Sequence, residues 1–140
     1  MRDFTRVNPP GLGAPRGFTH GLLAPAGGRV LFVAGQTAAD DRGRVASRAF
    51  VDQFASSLDK TIAVVRAAGG GPEHIGRMTV YVTDVDAYLE SRSILRDTWR
   101  ERMGDHYPAM TLVGVTRLVD AGAVVEIEAT AVVPNAIPDP

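Results

Sequence analysis

Two carboxylates on one predicted strand are the first residues of this chain that could do chemistry. Glu126 and Glu128 lie two positions apart in the strand predicted at 124–133, so both side chains point to the same face of that strand. Carboxylates placed in this way usually belong to a solvated face. If the face is instead buried at a subunit contact, the pKa of one carboxyl rises, and that group can exchange protons or orient water. The spacing leaves both alternatives open.

An arginine on a predicted packing face is the second candidate. The second predicted helix carries an apolar stripe in which Arg92 fills the gap between Tyr88 and Leu95. An arginine there extends its charged head to solvent over an apolar stem, pairs with an acid, or faces a cavity or a partner subunit. The solvated head is the commoner arrangement. In the last case, Arg92 would bind an anion in an interface cleft.

Metal, phosphate and covalent chemistry have weaker support. The three histidines, His20, His74 and His106, lie in different predicted elements without the spacing of metal ligands. The glycine run at 69–71 follows a helix, whereas a phosphate-binding loop follows a strand and opens a helix. The sequence has no cysteine, which excludes a thiol nucleophile, and Lys60 is the only lysine for Schiff-base chemistry. We therefore expect neither a metal nor an organic cofactor.

Length and composition define the broad class. The 140 residues are 45% hydrophobic and 22% charged, and 15 basic against 16 acidic residues give a formal net charge of −1. This length suits one domain over 1–140, and the charge balance argues against a nucleic-acid surface or a polybasic membrane arm. The first residues lack the pattern of a secretory signal, and the apolar runs are too short to cross a membrane. The default expectation is a cytoplasmic protein.

Hydrophobic periodicity predicts five strands and two helices. Strands are expected at 18–23, 29–34, 78–82, 111–115 and 124–133, the first two forming a hairpin around 25–28. One helix begins at Phe50 and ends at the glycine run, and the other is capped by Asp84 and reaches about Met103.

This order of elements predicts an α+β fold with both helices on one face of a mixed sheet. An irregular lead-in at 8–16 and a tail at 134–140, which we expect to be unpacked, flank the fold. The sheet face without helices is expected to mediate oligomerisation.

Five short motifs occur in the order and spacing of a known family. Val33-Ala34-Gly35-Gln36 follows a hairpin strand, and Ala67-Ala68-Gly69 closes the first helix. Val80-Tyr81-Val82-Thr83-Asp84 leads into the second helix. Tyr107-Pro108-Ala109 precedes a strand, and Val125-Glu126-Ile127-Glu128-Ala129 lies near the end of the sequence. From about 18 to 133 the chain thereby resembles the RidA/YjgF family. The resemblance implies a chorismate-mutase-like fold and a homotrimer with ligand clefts between its subunits.

The same resemblance implies an activity. Enzymes of this family hydrolyse reactive enamines and imines, such as 2-aminoacrylate, to keto acids and ammonia without a metal or an organic cofactor. Some relatives deaminate aminomuconate-type intermediates, and older labels call members endoribonucleases or translation inhibitors. A net charge of −1 without a basic stripe gives the RNA-directed roles the least support.

Four positions depart from the family's pattern. The family's deaminases have an arginine directly after Pro-Ala that binds the substrate carboxylate, where this chain has Met110. The family's serine before Gly-Gln is Ala34, its first-strand tyrosine is Phe18, and its helix asparagine is Arg92. The usual substrate therefore fits this chain poorly, unless another cation replaces the missing arginine.

The family's acid and its glycine are retained as Glu126 and Gly35. We expect Glu126 to be the catalytic residue, orienting water, and Arg92 to hold an anionic group. The other expected substrate-binding residues are Phe18, Ala34, Gly35 and Met110. Phe18 and Met110 would favour an aromatic or ring-cleavage substrate over 2-aminoacrylate. The alternative is a trimer that binds or senses a small molecule without catalysis.

Overall fold

The computed structural model describes residues 3–16 and 18–135. The strands are β1 (Thr5–Val7), β2 (Gly21–Leu23), β3 (Arg29–Gln36), β4 (Ile75–Val82), β5 (Ala109–Gly114) and β6 (Val125–Val133). The helices are α1 (Phe50–Ala67), α2 (Val85–Glu90) and α3 (Arg92–Met103), and two short 3-10 turns lie at Pro10–Leu12 and Pro72–His74. No helix of the described residues is long and apolar enough to cross a membrane.

Four strands form the main sheet in the order β3-β6-β4-β5. β6 runs antiparallel to both of its neighbours, whereas β4 and β5 are parallel. A parallel pair needs a crossover connection, which α2 and α3 provide between β4 and β5. α1 packs on β3 and β6 and also contacts α3, so the helices share one face of the sheet. The predicted α+β fold with a mixed sheet and helices on one face is confirmed.

Strand alternation decides which residues enter the core. Along β6, Val125, Ile127 and Ala129 are buried under the helices, whereas Glu126 and Glu128 point to the other side. We call the helix-covered side the helix face. The other side, which carries Phe32, Thr79, Tyr81, Glu126 and Glu128, is the open face.

The predicted hairpin of the first two strands is wrong. β2 is only three residues long and pairs with β1, a strand that the sequence analysis missed, with Leu22 opposite Arg6. β3 instead pairs with β6 in a different sheet. Gly27 and Gly28 both have positive φ, which would suit a tight hairpin turn. The backbone groups of β2 are nevertheless taken by β1, so the turn joins two sheets.

The second predicted helix is interrupted. Its expected cap is confirmed, because the Asp84 carboxylate accepts a hydrogen bond from the Ala87 amide at 3.1 Å. The chain leaves the helix at Ser91, whose hydroxyl donates back to the Ala87 carbonyl at 2.7 Å, a local bond that competes with helix continuation. Arg92 therefore begins α3 and does not lie within a continuous stripe.

The two segments expected to be irregular, at 8–16 and 134–140, are only partly so in the described residues. The lead-in at 8–16 contains just the 3-10 turn Pro10–Leu12. Of the predicted tail, residues 134 and 135 have no regular structure, and 136–140 lie outside the described residues. The first helix ends as expected, because Gly69 adopts φ +91° directly after it.

Candidate active site

A β-bulge in β3 sets the surroundings of Glu126. Val33 lies opposite Ala129 and Gln36 opposite Ile127, so two residues of β3, Ala34 and Gly35, occupy the place of one. A side chain on Gly35 would overlap the Glu126 carboxylate, since its Cβ would stand 2.9 Å from the carboxyl carbon. Glycine is needed here for space, and it lets the backbone of β3 lie directly against the carboxylate.

The two glutamates of β6 have different environments. The Tyr81 hydroxyl donates a 2.7 Å hydrogen bond to Glu128. Among the described residues, no group donates a hydrogen bond to the Glu126 side chain. Partial burial raises the pKa of Glu126 above its ordinary value, and the negative charges of Asp120 and Glu128 raise it further. A carboxyl with a raised pKa is more readily protonated and can exchange a proton with a bound molecule.

A hydrogen-bonded loop positions Asp120 beside this glutamate. Asp120 accepts a 2.5 Å hydrogen bond from the Thr37 hydroxyl. The Lys60 ammonium donates to the Thr37 carbonyl at 2.7 Å and also to the Ala39 carbonyl. The only lysine of the chain is therefore used to hold the loop after β3. Sequence reasoning missed Asp120 and Thr37, because 83 residues separate them.

A cavity of about 440 Å³ lies on the helix face at the β5 edge. It brings together three of the predicted site residues, Phe18, Arg92 and Met110. The further apolar and aromatic lining consists of Phe54, Val80, Tyr88, Leu95, Trp99, Tyr107 and Leu112. Two more arginines, Arg16 and Arg96, complete the wall. A ligand with an apolar body and a negative charge fits this lining.

Arg92 is exposed, and its guanidinium is only loosely held. Its Nε donates to the Leu89 carbonyl at 3.2 Å, and within 3–16 and 18–135 it makes no ion pair. Sequence reasoning missed Arg96 and Arg16 as its companions. The spacing of four residues between Arg92 and Arg96 was the available signal, because it places both on one side of a helix. Arg16 lies in an irregular segment, where no periodicity could have assigned it to the cavity.

The predicted site residues fall into two groups on opposite sides of the sheet. Met110 is in register with Met78, whose side chain is buried on the helix face. Glu126 is in register with Tyr81 on the open face, where Gly35 also lies. One subunit therefore does not bring Glu126 and Arg92 together. Any site that uses both has to take them from two copies of the chain.

The open face is partly apolar and has no cover within the described chain. Phe32 is 80% exposed, Val30 59% and Val113 39%. A shallow depression of about 200 Å³ lies beside Phe32 and is lined by Arg77, Thr79 and Glu128 as well. Val30 and Phe32 lie next to each other on β3, and neighbouring exposed apolar side chains of this kind are typical of a contact surface.

The three histidines bond to the backbone in separate places. His74 accepts from the Gly71 amide at 2.8 Å, His106 contacts the Ile75 carbonyl at 2.7 Å, and His20 contacts the Gly13 carbonyl at 3.2 Å. None of them lines the cavity on the helix face. Each histidine therefore contributes to local backbone structure.

The sheet topology and the helices on one face define a protein of the YjgF fold. Solved structures support this class. A Rid family protein of Yersinia pestis superposes with a TM-score of 0.78 at 26% identity, over 94% of this chain and all of that one. Escherichia coli TdcF, solved with bound serine, gives 0.65 at 30% identity, over 86% of this chain and 91% of that one.

The chain belongs to the Endoribonuclease L-PSP family, whose family model matches residues 14–133 and which includes the RidA and YjgF proteins. A RutC family protein of Pyrococcus horikoshii is 30% identical over 105 residues, which covers 74% of this chain and 79% of the relative. The family membership inferred from the five motifs is confirmed.

Proposed function

We propose that this protein hydrolyses a reactive enamine or imine that carries an anionic group on an apolar body. Glu126 orients and deprotonates the attacking water, and Arg92 binds the anionic group. The observation that carries the proposal is the setting of Glu126. Its carboxyl lies against the Gly35 backbone, accepts no hydrogen bond from the described residues, and has a raised pKa. A carboxyl with a raised pKa is suited to proton transfer near neutral pH.

The chemistry needs only water and a proton carrier. An enamine takes a proton on carbon to become an imine. Water then adds to the C=N carbon while Glu126 accepts a proton from it, and the nitrogen gains protons and leaves as ammonia. The product is a ketone or keto acid, so one water enters for each ammonia released. No step requires a redox change, in line with a site built from one carboxyl and its neighbours.

The complete site lies between subunits in this proposal. The open face of one copy supplies Ala34, Gly35 and Glu126, and the cavity of another supplies Phe18, Arg92 and Met110. The exposed Phe32 and Val30 support a contact through the open face. The family resemblance favours a homotrimer, and we propose this state for the protein. We also propose that it acts in the cytoplasm.

The substrate proposed here differs from 2-aminoacrylate. At the position where the resembled deaminases have a carboxylate-binding arginine, Met110 lines the cavity, and it offers no charge. Arg92 is the proposed substitute. Phe18 is 44% exposed at the cavity and gives the ligand an apolar ring to contact, without the hydroxyl of a tyrosine. These features favour a ring or a longer unsaturated chain over a three-carbon amino acid.

The test is hydrolysis of an imine made in the assay. Phenylalanine and an amino-acid oxidase supply the imine of phenylpyruvate, and the decay of the imine is followed with and without the protein. We expect the protein to accelerate the decay and Glu126→Gln to lose about 10²-fold or more of the acceleration, because general acid–base catalysis contributes on that order. Glu128→Gln is the matched control and should lose far less. Full activity in Glu126→Gln would overturn the mechanism.

Subunit mixing tests whether the site is shared between copies. Glu126→Gln and Arg92→Gln each damage a different half of the proposed site. Mixed trimers contain some clefts in which both halves are intact, so the mixture should regain part of the activity that each variant alone has lost. No regain after verified subunit exchange would contradict a shared site.

One observation favours a second candidate, a protein that binds a small molecule without catalysis. The cavity on the helix face forms within one subunit and does not include Glu126. A ligand could therefore bind there without meeting the acid. A ligand that stabilises the protein against heat and is recovered unchanged after long incubation would support this candidate. Endoribonuclease or repressor activity remains the least favoured, and RNA binding with a steep salt dependence would reverse that order.

A further inference from the structure

The walls of the helix-face cavity carry three cations and, among the described residues, no carboxylate. Arg16, Arg92 and Arg96 line it, and no Asp or Glu does. None of the three makes an ion pair within the described chain, although Arg102 on the same helix pairs with Asp59 at 2.7 Å. Within one subunit, the described residues therefore leave the positive charge of this cavity without a carboxylate partner.

Two of the arginines lie one turn apart on α3. A separation of four residues places their Cα atoms about 6 Å apart along the helix axis, with both side chains on the same side. Like charges at this spacing repel one another, which destabilises the helix when the cavity is empty. A ligand with two negative groups relieves this repulsion at both positions. Arg16 adds a third guanidinium from a separate segment of the chain.

The remainder of the wall suits a flat or unsaturated body. The rings of Trp99 and Tyr107 stack with their centroids 5.8 Å apart, and both line the cavity together with Phe18 and Tyr88. A volume of about 440 Å³ falls within the range of about 300–1,000 Å³ that small-molecule sites occupy. The cavity therefore accommodates considerably more than a three-carbon imine.

We infer that the cavity selects a ligand with two anionic groups on an aromatic or unsaturated body, with Arg96 distinguishing a dianion from a monoanion. The inference rests on the proposed function, in which Arg92 already binds one anionic group of the substrate. A monoanion leaves two guanidinium groups uncompensated beside an apolar wall. A dianion engages a second guanidinium in charge-assisted hydrogen bonds, which are the strong ones.

Calorimetric titration of the intact protein tests this preference with three ligands. Benzoate has one carboxylate on a ring, isophthalate has two on the same ring, and glutarate has two on a flexible chain. We expect isophthalate to bind at least about tenfold more tightly than benzoate, because one further charge-assisted contact is worth roughly that factor or more. Glutarate should bind more weakly than isophthalate, since it lacks the ring. Equal affinities for benzoate and isophthalate, or no binding of either, would overturn the inference.

Variants assign the preference to Arg96. Arg96→Gln should weaken isophthalate binding about tenfold and leave benzoate binding nearly unchanged. Arg100→Gln removes an exposed arginine of the same helix that does not line the cavity, so it is the matched control and should bind both ligands as the parent does. Equal losses in the two variants would contradict the inference, since they would reflect overall charge. Arg96→Lys keeps the charge and should retain part of the preference, which gives a second readout if the glutamine variant is unstable.

This inference and the proposed function fail in different ways. Binding of isophthalate that depends on Arg96, without hydrolysis of any enamine or imine, would contradict the function and leave the inference intact. The opposite result is imine hydrolysis that depends on Glu126 and is unaffected by Arg96→Gln with both monoanionic and dianionic substrates. That result would support the proposed function and overturn the inference.

Discussion

The two faces of the sheet are built by the same strands, yet arginines line the cavity on the helix face and carboxylates lie together on the open face. On the helix face the strand residues are buried, and the uncovered charges around the cavity belong to arginines. On the open face Glu126 and Glu128 lie close to a further acid, Asp120. The open face also exposes Phe32 of β3, whereas Phe54 of α1, which packs against the helix face, is only 5% exposed.

This difference follows from strand geometry. Successive side chains of a strand point to opposite faces, so a buried strand that carries two alternate glutamates has to present both on the uncovered side. The cations come from a helix and from the lead-in, which lie on the covered side. An acid and a cation that work together are thus separated by the thickness of the sheet within one chain. The proposed chemistry therefore requires a contact between two copies of the chain.

The largest expected effect comes from truncating a phenylalanine on each face. Phe54→Ala should lower the free energy of unfolding by about 3–5 kcal/mol, because it removes a buried ring and leaves a cavity. Phe32→Ala removes a ring that one subunit leaves 80% exposed, so it should hardly change the stability of a dissociated subunit. Instead it should weaken the oligomer. Denaturant unfolding and sedimentation velocity measure the two quantities.

The outcome of this pair decides whether the open face is a contact surface. A Phe32→Ala protein that keeps its oligomeric state at all concentrations would contradict the proposed contact through this face. A Phe54→Ala protein of unchanged stability would contradict the core described for the helix face.

The alternation of β6 could be read from the sequence, and so could several helix ends. Ile127 between two glutamates is sufficient to place Glu126 and Glu128 on one face and the apolar residues on the other. Asp84 and Gly69 fulfil their predicted roles at helix ends because caps are local, depending on atoms only a few residues away. The mixed sheet followed from the order of elements.

Features that depend on distant residues could not be read in this way. The bulge at Ala34 and Gly35 exists only relative to β6, some ninety residues later in the chain, so the fit of Gly35 to the carboxylate was not predictable from periodicity. β1 is too short to produce a periodic signal. Because β2 pairs with β1, it does not form the expected hairpin with β3. The interruption at Ser91 depends on one side-chain hydrogen bond.

The second prediction concerns the contact between Gly35 and Glu126. In Gly35→Ala the new methyl group would overlap the carboxylate, so either β3 or Glu126 has to move. We expect a loss of about 1–3 kcal/mol in stability, typical of overpacking, and a loss of about 10²-fold in imine hydrolysis from the displaced acid. Gly11→Ala is the matched control, because its Cβ would meet nothing within 4 Å. Normal activity in Gly35→Ala would show that the close approach of β3 is not needed.

The smallest expected effect is a shift in the pH dependence of imine hydrolysis. The negative charge of Asp120 contributes to the raised pKa of Glu126. Asp120→Asn should therefore lower that pKa toward its ordinary value and move the acidic limb of the pH–rate profile to lower pH. Asp86→Asn, on α2, is the control and should leave the limb in place. An unchanged limb in Asp120→Asn would show that Asp120 does not influence the titration of Glu126.

The same raised pKa predicts a pH-dependent difference in stability between the parent protein and Glu126→Gln. A carboxyl whose pKa is higher in the folded state than in the unfolded chain binds its proton more tightly when folded. The stabilisation from this proton is complete below the ordinary glutamate pKa of about 4.3 and is lost as the pH rises through the folded pKa. Glutamine has no such loss. Glu126→Gln should therefore gain stability relative to the parent as the pH rises through this window, in denaturant unfolding measured from pH 4 to pH 8. The opposite trend would mean that the folded protein stabilises the ionised Glu126 carboxylate, which would contradict its raised pKa.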